Sequence, residues 1–71
     1  MIRKAVGARI KELRTRKGLS QEMLGLEAGL DRTYIASIES GRRNVSVISL
    51  SRIWTGLGIT PIKFFDSDLF R

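Results

Sequence analysis

The chain contains neither cysteine nor histidine. The first absence excludes disulfides and thiolate metal sites; the second removes the commonest general base and the commonest metal ligand. Seven acidic residues are scattered over 71 positions, so no carboxylate pair stands out for acid–base chemistry. No residue is assigned a catalytic role, and no metal, cofactor or small-molecule ligand is expected. No apolar run approaches the roughly 18 residues of a membrane span. With no signal peptide expected before the domain, the reading is a soluble, cytoplasmic protein. Nothing alternates with period two for long enough to argue a strand, and there are no repeats, linkers or low-complexity tracts. A domain this short buries only about 60% of its unfolded surface. Without disulfide or metal, association with a second copy is the expected support.

What the chain has in quantity is positive charge, a net +6 with a pI of 10.9. Up to Lys17 there are seven bases (Arg3, Lys4, Arg9, Lys11, Arg14, Arg16, Lys17) against the single acid Glu12, and the remainder holds six of each. Such a balance suggests a polyanionic partner; the plainer alternative is a solvated basic helix face.

The punctuation predicts five short helices in one domain, residues 1–71. Val6, Ile10 and Leu13 recur at helical spacing, with Arg16 and Lys17 suited to the negative end of the dipole and Gly18 as a left-handed stop. Ser20 is a cap for a second helix, which Gly29 ends, and Asp31 for a third, which Gly41 closes. Ser46 caps a fourth, whose stripe is Val47, Leu50, Ile53, Trp54 and Leu57, and Gly58 ends it. Thr60 and Pro61 read as cap and first residue of a fifth. The expected class is all-α and compact.

Only Gly29, Leu30 and Asp31 separate the second and third helices, the pattern of a helix-turn-helix over about residues 20–40. Leu24, Ala28, Leu30, Ile35 and Ile38 supply its apolar seam, and Gly25 its close approach. At about 100° per residue, Ile35 and Ile38 fix the buried side of the third helix. Arg32, Thr33, Ala36, Ser37 and Ser40 then share the opposite arc of roughly 140°. Short side chains let a helix sink into the DNA major groove, and one long guanidinium matches guanine O6 and N7 bidentately. An ordinary solvated face would more often carry Lys and Glu pairs.

From Ile10 to about Phe65 the sequence resembles the lambda-repressor-like helix-turn-helix family. The run "LSQEMLGLEAGLDRTYIASIESGRRNVS" is most similar to controller proteins of restriction-modification systems. The resemblance implies a compact five-helix DNA-binding domain, a homodimer and palindromic operators in double-stranded DNA, with regulation of the system's own genes. Arg32, Thr33, Ala36 and Ser37 match base-reading positions. Gln21, at the start of the second helix, matches a phosphate contact, Tyr34 a phosphate or sugar contact, and Arg42, Arg43 and Asn44 a loop that grips the backbone. Free N–H groups at a helix start and loop arginines favour phosphate independently. The resemblance also pairs Glu39 with an arginine near the end of the first helix, the place of Arg14.

Four positions depart from the family pattern. Met23 and Leu26 form an apolar stripe where polar residues are usual; a contact with RNA polymerase is one reading, although isolated exposed apolar residues are common. Trp54 and Gly56 stand where alanine is usual, which puts the packing of the fourth helix against the fifth in question. The C-terminal part, 46–71, carries more apolar bulk than one small core uses, and Ile48, Ile59, Ile62 and Phe65 are the candidate dimer interface. The alternatives are a phage-type repressor or antitoxin-like regulator of the same fold and, more remotely, a basic membrane-surface protein or a protein-only interaction module.

Overall fold

The computed structural model describes residues 2–71. Five α-helices follow one another, α1 (Ile2–Arg16), α2 (Gln21–Ala28), α3 (Arg32–Glu39), α4 (Val47–Leu57) and α5 (Pro61–Phe65), and a 3-10 turn at Asp68–Phe70 ends the chain. Each of the four expected caps does its work. The hydroxyls of Ser20, Ser46 and Thr60 accept from the backbone N–H groups of Met23, Ser49 and Lys63, and the Asp31 carboxylate accepts from that of Thr33. These are donors that a helix start leaves without an internal partner. Among the described residues no helix is long and apolar enough to cross a membrane.

The core is drawn from every helix: Val6, Ile10 and Leu13 of α1, Leu24 and Ala28 of α2, Ile35 and Ile38 of α3, Leu50, Ile53 and Leu57 of α4, and Phe64 of α5. Two glycines set how closely its layers meet. A Cβ at Gly7 would collide with the Ile38 carbonyl oxygen and stand 3.0 Å from that of Glu39, so the end of α3 rests directly on the α1 backbone. At Gly56 a Cβ would stand 3.3 Å from the Ala28 nitrogen and from Glu27 Cβ, so α4 lies close against α2.

Trp54 packs against the aromatic side chains of α5. Its ring lies 5.8 Å from Phe64 and 6.1 Å from Phe65, and Phe70 completes an aromatic cluster at 5.9 Å from Phe64. Tilted and edge-on arrangements of this kind suit the ring quadrupoles. The Trp54 indole N–H is buried and has no acceptor among the described residues. The expected stripe of α4 is corrected at one place. Val47 is exposed, because it is the first residue of the helix, one turn ahead of Leu50, where α4 enters the core. Gly41 closes α3 as expected, at φ +79° just past the last helical residue Glu39 and the cap Ser40.

Candidate nucleic-acid interface

The turn between α2 and α3 is built on Gly25 and Gly29. Gly29 has φ +69°, a left-handed conformation natural to glycine. The Leu30 N–H donates to the Gly25 carbonyl at 2.8 Å. A Cβ on Gly25 would stand 2.5 Å from the Leu30 carbonyl oxygen, so the turn folds directly over α2. This geometry fixes the direction in which α3 leaves.

A buried ion pair fixes its far end. Arg14 Nε and Nη2 donate to Glu39 Oε2 and Oε1 at 2.7 and 3.0 Å, a bidentate fork, while Arg14 Nη1 donates to the Leu19 carbonyl at 2.8 Å. The side chains of Arg14 and Glu39 are 11% and 3% exposed. The hydrogen bonds to Glu39 raise the Arg14 pKa above the ordinary guanidinium value, with the Glu39 charge adding and burial opposing. A raised pKa means stabilisation that is complete below the ordinary value and lost only as pH climbs through the raised one. The guanidinium therefore holds its charge throughout the neutral range. The pairing implied by the resemblance is present, and it recruits a third member: Gln21 Nε2 donates to Glu39 Oε1 at 3.1 Å.

Between these two anchors α3 turns Ile35 and Ile38 fully inward. Arg32 and Thr33 are exposed on the other side, and Tyr34, Ala36 and Ser37 are half-buried beside them. The Ser37 hydroxyl donates to the Tyr34 carbonyl at 2.9 Å, a bond within the helix that leaves its oxygen lone pairs outward as acceptors. Past Gly41, at φ +79°, the N–H groups of Arg42 and Arg43 both donate to the Ser37 carbonyl, at 3.1 and 3.3 Å. The loop is thus folded back on the helix, and the Arg43 guanidinium lies 5.4 Å from the centre of the Tyr34 ring. Asp31, Thr33, Tyr34, Ser37 and Arg43 line one shallow depression. Among the described residues, the ion pairs involve Arg9, Arg14, Arg16 and Arg71, and none takes up Arg32, Arg42 or Arg43.

The structure therefore brings Arg32, Thr33, Tyr34, Ala36, Ser37 and Arg43 onto one surface, with Arg42 and Asn44 exposed in the same loop. Gln21 sits at the start of α2, and its amide nitrogen is engaged with Glu39. Of the four C-terminal candidates, Ile48, Ile62 and Phe65 are exposed, whereas Ile59 is half-buried and packs on the monomer's own core. Met23 and Leu26 are exposed on α2.

Sequence reasoning missed Arg9. It is 5% exposed and ties α1 to the end of α5. The signal was available, because Arg9 lies three residues after Val6 and four before Leu13, inside the apolar stripe of α1.

Comparison with known proteins gives a consistent result. The family model described as Helix-turn-helix matches residues 10–64. Control protein C.MunI of Mycoplasma sp is 50% identical over 60 residues, covering 83% of this chain and 81% of that protein. The crystal structure of the restriction-modification controller protein C.AhdI from Aeromonas hydrophila superposes with a TM-score of 0.84 at 47% identity, covering 87% of this chain and 94% of that one. The restriction-modification controller protein C.Esp1396I, as a tetramer in complex with its natural 35 base-pair operator, superposes with a TM-score of 0.85 at 41% identity, covering 89% of this chain and 83% of that one.

Proposed function

The chain belongs to the helix-turn-helix family, and we propose that it is a sequence-specific DNA-binding transcription regulator of the restriction-modification controller type. The observation that carries this reading is the outward face of α3, where Arg32, in no ion pair among the described residues, stands beside the small Thr33, Ala36 and Ser37. A helix presenting short side chains and one guanidinium is shaped for the major groove. Arg32, Thr33, Ala36 and Ser37 are assigned to base edges, and Gln21, Tyr34, Arg42, Arg43 and Asn44 to the backbone. Gln21 keeps one amide hydrogen and its carbonyl oxygen beyond the bond to Glu39, and the start of α2 adds free N–H groups.

The working unit in this reading is a homodimer on a palindromic operator, joined through the 46–71 segment by Ile48, Ile62 and Phe65, with Ile59 at the margin. One subunit measures 30 × 24 × 21 Å, so two related by a dyad fit recognition helices about 34 Å apart, one turn of B-DNA. Two copies also double the few base-reading side chains that one subunit offers. Met23 and Leu26, on a helix face that also carries Glu22 and Glu27, are assigned to a contact with RNA polymerase.

Selection of binding sequences from a random duplex pool tests the DNA reading. The expected product is a palindrome with half-sites one helical turn apart, bound as a dimer. Recovery of no enriched sequence, with equal affinity for every duplex, would refute it. In transcription from the selected site, Met23→Ser with Leu26→Ser should remove activation while operator affinity is kept.

A further inference from the structure

We infer that Arg9 is a positioning residue for self-association: it holds α5, and the apolar face α5 carries, in the orientation that lets two copies join. The inference rests on the dimer reading above.

Helix α5 has five residues, too few to hold a helix by itself. Its N-terminus is capped by Thr60 and begins with Pro61, but its C-terminal carbonyls need partners from elsewhere. Arg9 supplies them from 54 to 57 residues away in sequence. Its Nε donates to the Phe64 carbonyl at 2.8 Å, and its Nη2 to those of Lys63 at 2.9 Å and Asp66 at 3.3 Å. The remaining arm donates to Glu12 Oε1 at 2.7 Å, which fixes the guanidinium plane, and Arg16 Nη2 braces Glu12 from the other oxygen at 3.1 Å. A buried cation aligned with the negative end of a helix is favourable electrostatically as well.

Packing holds the inner side of α5, where Phe64 is fully buried and Phe65 lies edge-on to Trp54 and Phe70. The three carbonyl contacts add what packing does not supply, a tie between the C-terminal end of α5 and α1. Together they set where Ile62, 84% exposed, and the open edge of Phe65, 42% exposed, point on the outer side. Lysine cannot replace the planar fork, since its donors radiate from one nitrogen at the end of a flexible stem.

The test measures the dimer dissociation constant of the full chain by sedimentation equilibrium for the wild type, Arg9→Lys, Glu12→Gln and Ile62→Asp. Helical circular dichroism and low-salt binding to a short random-sequence duplex are read on the same samples. Arg9→Lys is expected to weaken the dimer by about tenfold or more, equivalent to about 1.4 kcal/mol, with helix content and duplex binding close to wild type. Glu12→Gln, which leaves the core and the carbonyl contacts in place, should weaken the dimer in the same direction by a smaller factor. An Arg9→Lys dimer as tight as wild type, beside an Ile62→Asp chain that dissociates, overturns the role of Arg9 and leaves the dimer face standing. An Ile62→Asp chain that stays fully dimeric refutes the face itself. Parallel loss of helix content, duplex binding and dimer in Arg9→Lys overturns the inference too, because Arg9 would then serve the fold as a whole.

Discussion

Removing Arg14 should cost this protein a large part of its stability. A domain of 71 residues has about 0.05–0.15 kcal/mol per residue, hence roughly 4–11 kcal/mol in total. The Arg14–Glu39 pair is nearly closed to solvent, with three hydrogen bonds from Arg14 and one from Gln21. Truncating one member of such a pair leaves an uncompensated buried charge, at about 3–5 kcal/mol. The two truncations are not equivalent. Arg14→Ala strands a carboxylate whose side chain is 3% exposed, with the neutral Gln21 amide left as its donor among the described residues. Glu39→Ala leaves an arginine that still donates to the Leu19 carbonyl and has a long stem with which to reach water. Arg14→Ala should therefore be the more damaging, with a fall in Tm on the order of 15–30 °C. The double mutant, with no buried charge left, should lose less than the sum by about 1–3 kcal/mol. Thermal and urea unfolding of the four proteins measure the cycle. Because the Arg14 pKa lies above its ordinary value, the wild-type advantage should hold from roughly pH 7 to 9. Additive losses within about 0.5 kcal/mol would refute the coupling and the account of how α3 is held.

Other perturbations separate reading from gripping. Arg32→Ala should lose about 1–3 kcal/mol on the selected operator and relax one base pair per half-site; an equal loss on a scrambled duplex would remove Arg32 from base reading. Arg42→Ala and Arg43→Ala should weaken cognate and scrambled duplexes alike, and reduce the slope of log affinity against log salt by about 0.9 per lost contact, as titrations over a salt series would show. Gly7→Ala should destabilise by about 1–3 kcal/mol through overpacking and also weaken operator binding, because it pushes α3 off α1. Gly18→Ala, in open space at φ +72°, should lose about 1–2 kcal/mol of stability from backbone strain and leave operator affinity unchanged.

The helices after the first, and their order, were legible because each of their starts has a side chain well suited to cap it: Ser20, Asp31, Ser46 and Thr60. The outward arc of α3 was legible because Ile35 and Ile38 leave little freedom about which side is buried. Arg9 was counted only among the seven bases of the first segment; its place in the apolar stripe points inward, but what it meets there depends on backbone carbonyls that return to α1 from the end of the chain. Periodicity reports the hydrophobic side of a helix but not what a distant segment offers to a charge on it. Val47 was misplaced for a related reason: the stripe continues to the first residue of α4, but the neighbours do not. Ile59 shows the reverse, an apolar residue offered to a partner that the monomer largely covers itself. Gln21 was placed at the start of its helix, but its bond to Glu39 needs two segments 18 residues apart to meet.

The constraints on α3 all lie on one side of it or at its ends: the turn over Gly25, the carbonyls resting on Gly7, and the Arg14–Glu39 fork. The outer positions 32, 33, 36 and 37 take no part in these, and the hydroxyl of Ser37 bonds only within its own helix. Under the proposed reading of α3, the outer face is an interchangeable reading head on a fixed mount. Exchanging those four side chains for another polar set should then redirect the sequence preference while leaving the unfolding transition nearly where it was. On that reading, a change of operator need not disturb the fold.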